Sequence, residues 1–67
     1  MAKISLSAIE ALLKKSGAER ISEEAKIKLR DYLEEKTIEI GKKANSFSKH
    51  ANRKTIKAKD IELAIKE

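Results

Sequence analysis

Asn52-Arg53-Lys54-Thr55-Ile56-Lys57-Ala58-Lys59-Asp60-Ile61 is the stretch on which the reading of the whole chain turns. Between Lys49 and Lys59 the sequence places five cations, Lys49, Arg53, Lys54, Lys57 and Lys59, and no acid. Thr55-Ile56 is a β-branched pair that favours extended backbone, and helical spacing resumes after it. A basic loop running into a helix N-terminus suits a phosphate, because the first N–H groups of a helix point outward without intrahelical partners. The remainder of the chain is expected to hold this loop, and one earlier loop, against a polyanion.

Working outward, the punctuation is that of an all-α chain. Pro is absent and Gly occurs twice, so few turns are available. Ser5 or Ser7 can cap a first helix, whose apolar face is Leu6, Ile9, Leu12 and Leu13. Lys14 and Lys15 suit its C-terminal dipole, and Gly17 supplies a left-handed stop. Gly17 to Ile21 is a short connector. Ser22 then caps a second helix with Glu23 and Glu24 in its first turn. Nothing need stop that helix before His50, a span of roughly 43 Å at about 1.5 Å per residue. Its stripe is Ala25, Leu29, Tyr32, Leu33, Ile40, Ala44 and Phe47, with Ile27 and Ile38 off it. Lys36 interrupts the stripe, where its stem is expected to be buried and its ammonium to reach out. Asp31, Glu34, Glu35 and Glu39 are expected to form a solvated face. Ala51 to Ile56 is the second connector, in which Asn52 tolerates a left-handed turn. A third helix, from about Ala58 to Lys66, carries Ile61, Leu63, Ala64 and Ile65.

Sixty-seven residues make one small domain, 1–67. A chain of that length buries only about 60% of its unfolded surface and generally needs a further staple. Without Cys, and with one His, disulfides and thiolate metal sites are excluded and no metal or cofactor is expected. Oligomerisation is left. The two short helices cover only part of the long stripe, so a second copy lying antiparallel across the first is expected to cover the rest.

The net charge of +5 favours a polyanionic partner. One Phe and one Tyr supply little stacking for unpaired bases, so phosphate contact to duplex DNA fits better. No apolar run is long enough to span a membrane, and Met-Ala-Lys-Ile-Ser lacks the apolar core of a signal peptide. A cytoplasmic protein without a membrane partner or small-molecule substrate is expected. His50 with Asp60 and the serines raises a catalytic triad, but no nucleophile elbow or Gly-rich oxyanion loop is present, and no enzyme is expected.

Three stretches carry a family resemblance. They are Ser16-Gly17-Ala18-Glu19-Arg20-Ile21-Ser22, Leu33-Glu34-Glu35, and the run from His50-Ala51-Asn52-Arg53-Lys54-Thr55 through Ile56-Lys57-Ala58-Lys59-Asp60 to Ile61-Glu62-Leu63-Ala64. The layout of short, long and short helix resembles the histone fold, and in particular the short tail-less histones of archaea and their bacterial relatives. The resemblance implies a head-to-tail handshake homodimer in which the first connector of one protomer lies beside the second connector of the other. Each paired-loop surface would grip DNA backbone, and dimers would join through a four-helix contact into tetramers or longer stacks in the nucleoid.

Carried over residue by residue, Arg20 would enter the minor groove without reading bases, as nucleosomal arginines do; the alternative is a surface Arg paired with Glu19 or Glu24. Lys54, Thr55 and Lys57 would meet phosphates. Lys14 and Lys15 would add backbone contacts or simply complement the helix dipole, and Ser22 is first a cap and second a phosphate contact. Arg53 and Asp60 resemble the family's loop-bracing ion pair. Phe47, His50, Asp60 and Leu63 would form the dimer–dimer contact, with His50 bonding Asp60 of the neighbour, against the alternative of a His capping its own helix. The chain departs from the family at Glu10-Ala11, where a basic residue is common, and at Lys36, Phe47 and Asn52, which stand for apolar, smaller and glycine residues. A chain needing a different histone-fold mate in a transcription-regulatory complex is the alternative reading.

Overall fold

The computed structural model describes residues 2–66 and consists of α1 (Leu6–Lys15), α2 (Glu23–His50) and α3 (Ala58–Lys66), with no strand among the described residues. The chain divides into two compact units, 1–35 and 36–67, so that α2 contributes its first half to one and its second half to the other.

In the first unit the α1 cap is Ser5, whose Oγ accepts from the Ala8 N–H at 3.1 Å. The helix ends in a Schellman motif. Gly17 N–H donates to Lys14 O at 3.1 Å and Ala18 N–H to Leu13 O at 3.4 Å. Gly17 has φ +105°, a value that L side chains avoid. Ser22 caps α2 by accepting from Ala25 N–H at 3.1 Å. Ile9 is the buried apolar residue of α1, at 1% exposure. Leu12, on the same expected face, is 61% exposed.

Glu34 departs from the solvated face expected of it. It is half buried, and its Oε2 accepts from the backbone N–H groups of Lys3 and of Ile4, the latter at 2.7 Å. These donors precede α1, so the carboxylate ties the approach to α1 onto α2. They hold its pKa below the usual carboxylate value, the Ile4 N–H contributing most, because hydrogen bonds to the charged form favour it.

The second unit repeats the helix-ending device with a different residue. Asn52 N–H donates to Lys49 O and Arg53 N–H to Ser48 O, both at 2.9 Å, with Asn52 at φ +58°. Asn is among the few residues that visit this region at modest cost. Ala44 and Ala64 are the buried apolar residues here. Lys36 does not bury its stem: it is exposed and its Nζ lies 3.3 Å from Glu39 Oε1, the i,i+3 acid being a nearer partner than any route through the stripe.

The buried apolar residues are thus few, Ile9 in the first unit and Ala44 and Ala64 in the second, while Leu12, Ile27, Tyr32, Ile38, Ile56, Leu63 and Ile65 stay exposed. Each large apolar side chain gains roughly 1.5–3 kcal/mol on full burial, so the single chain leaves most of its available hydrophobic stabilisation unused. Replacing Asn52 by Val should lower unfolding stability by about 1–2 kcal/mol through its left-handed conformation, whereas Asn52→Gly should be neutral or mildly stabilising. Denaturant midpoints of the two variants at one fixed protein concentration check this.

Candidate nucleic-acid interface

The second connector is built around one carboxylate. Asp60 is 2% exposed and stands in the first turn of α3. Arg53 Nη1 and Nη2 donate to its two oxygens at 3.0 and 2.9 Å, a bidentate fork, the geometry in which a guanidinium best matches a carboxylate. The Lys57 N–H donates to Oδ2 at 2.8 Å. This is the returning half of a capping box, with the third helical residue closing on the N-cap amide. A buried charge is tolerated only when so paired.

Ser48 completes the clasp. At 1% exposure its hydroxyl is within hydrogen-bond reach of the carbonyls of Arg53 (2.9 Å) and Thr55 (3.0 Å). Arg53 Nη1 also donates to Thr55 O at 3.1 Å. The connector backbone is therefore fixed from both helices that flank it: by Ser48 from α2 and by Asp60 from α3. Sequence reading missed Ser48. The available signal was its place four residues before the turn residue Asn52, where a small hydroxyl can fold back under a connector.

With Arg53 and Asp60 occupied inward, the side chains of Lys54, Thr55 and Lys57 are exposed. In the first unit Lys14, Lys15, Arg20 and Ser22 are likewise exposed. Lys14 Nζ is 3.8 Å from Glu10, while among the described residues no carboxylate pairs with Lys15, Arg20, Lys54 or Lys57. Arg20 thus has neither Glu19 nor Glu24 as a partner. The Ser22 hydroxyl is engaged as the α2 cap.

A second cation went unnoticed in the sequence. Lys26 is buried, and its Nζ sits 2.7 Å from both Glu10 of α1 and Glu23 of α2. The hydrogen bond to Glu10, then that to Glu23, raises the Lys26 pKa, and Lys26 lowers that of Glu10. Glu10, read in the sequence as an absent DNA contact, has a structural partner.

Of the residues expected at a contact between dimers, Phe47 is half buried, His50 is exposed and Leu63 is 50% exposed. Asp60 lies behind them with its carboxylate engaged by Arg53 and the Lys57 amide. Among the described residues no cluster of His, Asp and Glu suits a metal ion, and no helix is long and apolar enough to cross a membrane.

A long helix flanked by two short ones, with both connectors capped and cationic, is the frame of a histone-fold protein. The chain belongs to the family described as histone-like transcription factor (CBF/NF-Y) and archaeal histone, whose model matches residues 2–65. It is 53% identical over 66 residues to the archaeal histone HAN1 of Thermococcus zilligii. It is 39% identical over 66 residues to the probable archaeal histone 3 of Methanocaldococcus jannaschii. In each case the alignment covers 98% of both chains. It is accordingly a histone-fold, DNA-binding architectural protein, of a fold that pairs as a handshake dimer.

Arg53, first through its hydrogen bonds, and then the Lys57 amide pull the Asp60 pKa from 3.8 to about 2. A depressed carboxylate contributes stability that is present above its unfolded pKa and lost as pH falls through its folded one. Stability should therefore drop between about pH 4 and pH 2 in part through Asp60. Asp60→Asn should be less stable at pH 7 and show a shallower fall over that window, as followed by circular dichroism in acid titrations.

Proposed function

We propose that this chain compacts DNA as a head-to-tail handshake homodimer, a single histone-fold domain over 1–67. It holds the duplex by backbone and minor-groove contacts with little sequence preference, and bends or wraps it. The observation that carries the reading is the pair of rigid connectors whose cations Arg20, Lys54 and Lys57 have no acid of their own among the described residues. Held exposed on capped backbone, they lose little freedom on meeting a phosphate, which is where preorganisation adds affinity.

In this reading Lys54, Thr55 and Lys57 face phosphates and Arg20 enters the minor groove where it turns inward. Lys15 adds a backbone contact. Lys14 adds a weaker one because Glu10 competes for it. Ser22 serves through its helix N-terminus, where outward N–H groups favour an anion. The handshake places the first connector of one protomer beside the second connector of the other, so each DNA contact is built from two copies. Dimers associate through Phe47, His50 and Leu63, with His50 reaching Asp60 of the adjoining dimer at the narrow opening that Arg53 leaves. The tetramers or longer stacks so formed reside on the chromosome, in the nucleoid.

Affinities for unrelated duplexes should be similar and should fall linearly on a log–log plot against salt, with a slope of about −0.9 per phosphate neutralised. Lys54→Ala should flatten that slope, and Arg20→Ala combined with it should weaken binding to every duplex alike. A strong preference for one sequence, or no dependence on salt, would remove the proposal. Nuclease digestion of the reconstituted complex reads the assembly: a ladder of protected lengths is expected for open stacking and a single length for a closed tetramer.

A further inference from the structure

A groove of about 300 Å³ in the second unit is lined by Lys36, Glu39, Ile40, Lys43, Ala64 and Ile65. Its floor is apolar, with Ala64 buried and Ile40 half buried, but its α2 wall carries two ammonium groups and one carboxylate. The place of Lys36 on α2 gives this wall a consequence. The helix runs Glu23–His50, so its midpoint falls at Lys36-Thr37. Leu29, Leu33, Lys36, Ile40, Lys43 and Phe47 recur along it in alternating steps of four and three, the seam by which paired helices pack.

Handshake pairing lays two copies of α2 antiparallel across a two-fold axis, and in such an interface a residue at the crossing point meets itself. In the self-paired dimer Lys36 faces Lys36. A lysine placed on an apolar seam specifies partner and register at a cost in stability. Like charges opposed in an interface discriminate against that pairing. Within the described residues Glu39 is the acid that answers Lys36. Its 3.3 Å link joins side chains that are 46% and 56% exposed, and such surface pairs contribute little. Lys43, two turns along the same seam, adds a second cation rather than a counter-charge.

We infer that Lys36 selects the mate: the preferred partner of this chain is a second histone-fold chain carrying a carboxylate at the middle of its long helix. The self-paired dimer is then the weaker of the two assemblies. The inference rests on the handshake pairing and not on DNA contact, since Lys36 is none of the cations assigned to phosphate. It is therefore tested without DNA.

The chain is mixed with a ¹⁵N-labelled Lys36→Glu variant of itself, and the dimers are counted by native mass spectrometry. The mixed dimer should exceed its statistical share, roughly tenfold in exchange equilibrium constant, and the excess should shrink as salt is raised. Independently, Lys36→Met should raise the Tm of the self-paired dimer by roughly 5 °C or more at fixed concentration. That arm stands even if Lys36→Glu does not self-pair. Mixed dimers at their statistical share, or a Lys36→Met dimer with unchanged Tm, would overturn the inference and leave the DNA reading intact. Loss of salt-dependent DNA binding in the unaltered chain would do the reverse.

Discussion

A carboxylate taken out of water has to be met by hydrogen bonds and an opposite charge, or the chain does not fold around it. Asp60 imposes that requirement on the second connector. Its oxygens take the Arg53 fork and the Lys57 amide, which fixes where the loop leaves α2 and where α3 begins. Ser48 holds the carbonyls of Arg53 and Thr55 from the other side. Between these two restraints the connector has little freedom, and its remaining cations are carried outward on a settled backbone. The same interaction that stabilises the loop thus positions the groups that meet DNA.

The net charge alone does not describe how this chain meets a polyanion, because its cations are divided between two tasks. Arg53 and Lys26 are turned inward, each bound to carboxylate at under 3 Å. Arg30 and Lys36 have acidic neighbours at the surface. Lys15, Arg20, Lys54 and Lys57 are left to solvent. They stand on the two connectors and the end of α1, so the available positive charge is local rather than spread along one amphipathic face. That distribution suits backbone contact at discrete points on a duplex better than adhesion to an anionic bilayer, where one continuous basic face is the usual device.

Stability and assembly are linked by the same economy of size. One isoleucine and two alanines are buried, which cannot offset the conformational entropy of ordering sixty-odd residues at about 1–2 kcal/mol each. The exposed Leu12, Tyr32, Leu63 and Ile65 are the reserve that pairing draws on. Folding of such a chain is inseparable from protomer concentration. A charged residue on the seam therefore affects which partner is taken and how stable the fold is.

The residues that end and begin helices were legible in the sequence because their reasons are local. Gly17 and Asn52 turn the chain left-handed, Ser22 caps, and the basic run between Lys49 and Lys59 lies between two helical patterns; none of this needs knowledge of what packs where. The family likeness rested on the same local stretches. Serine, lysine and glutamate are surface residues by default, however, and only the approach of one element to another made Ser48, Lys26 and Glu34 internal partners. Lys36 shows the converse: the stripe suggested a buried stem, and the proximity of Glu39 drew the side chain outward. By itself the sequence determined three helices, two connectors and a cationic surplus, since these follow from backbone propensity and charge. Only the tertiary structure decided which charges are consumed in holding the connectors and which remain for a partner, because that depends on distances between residues far apart in the chain.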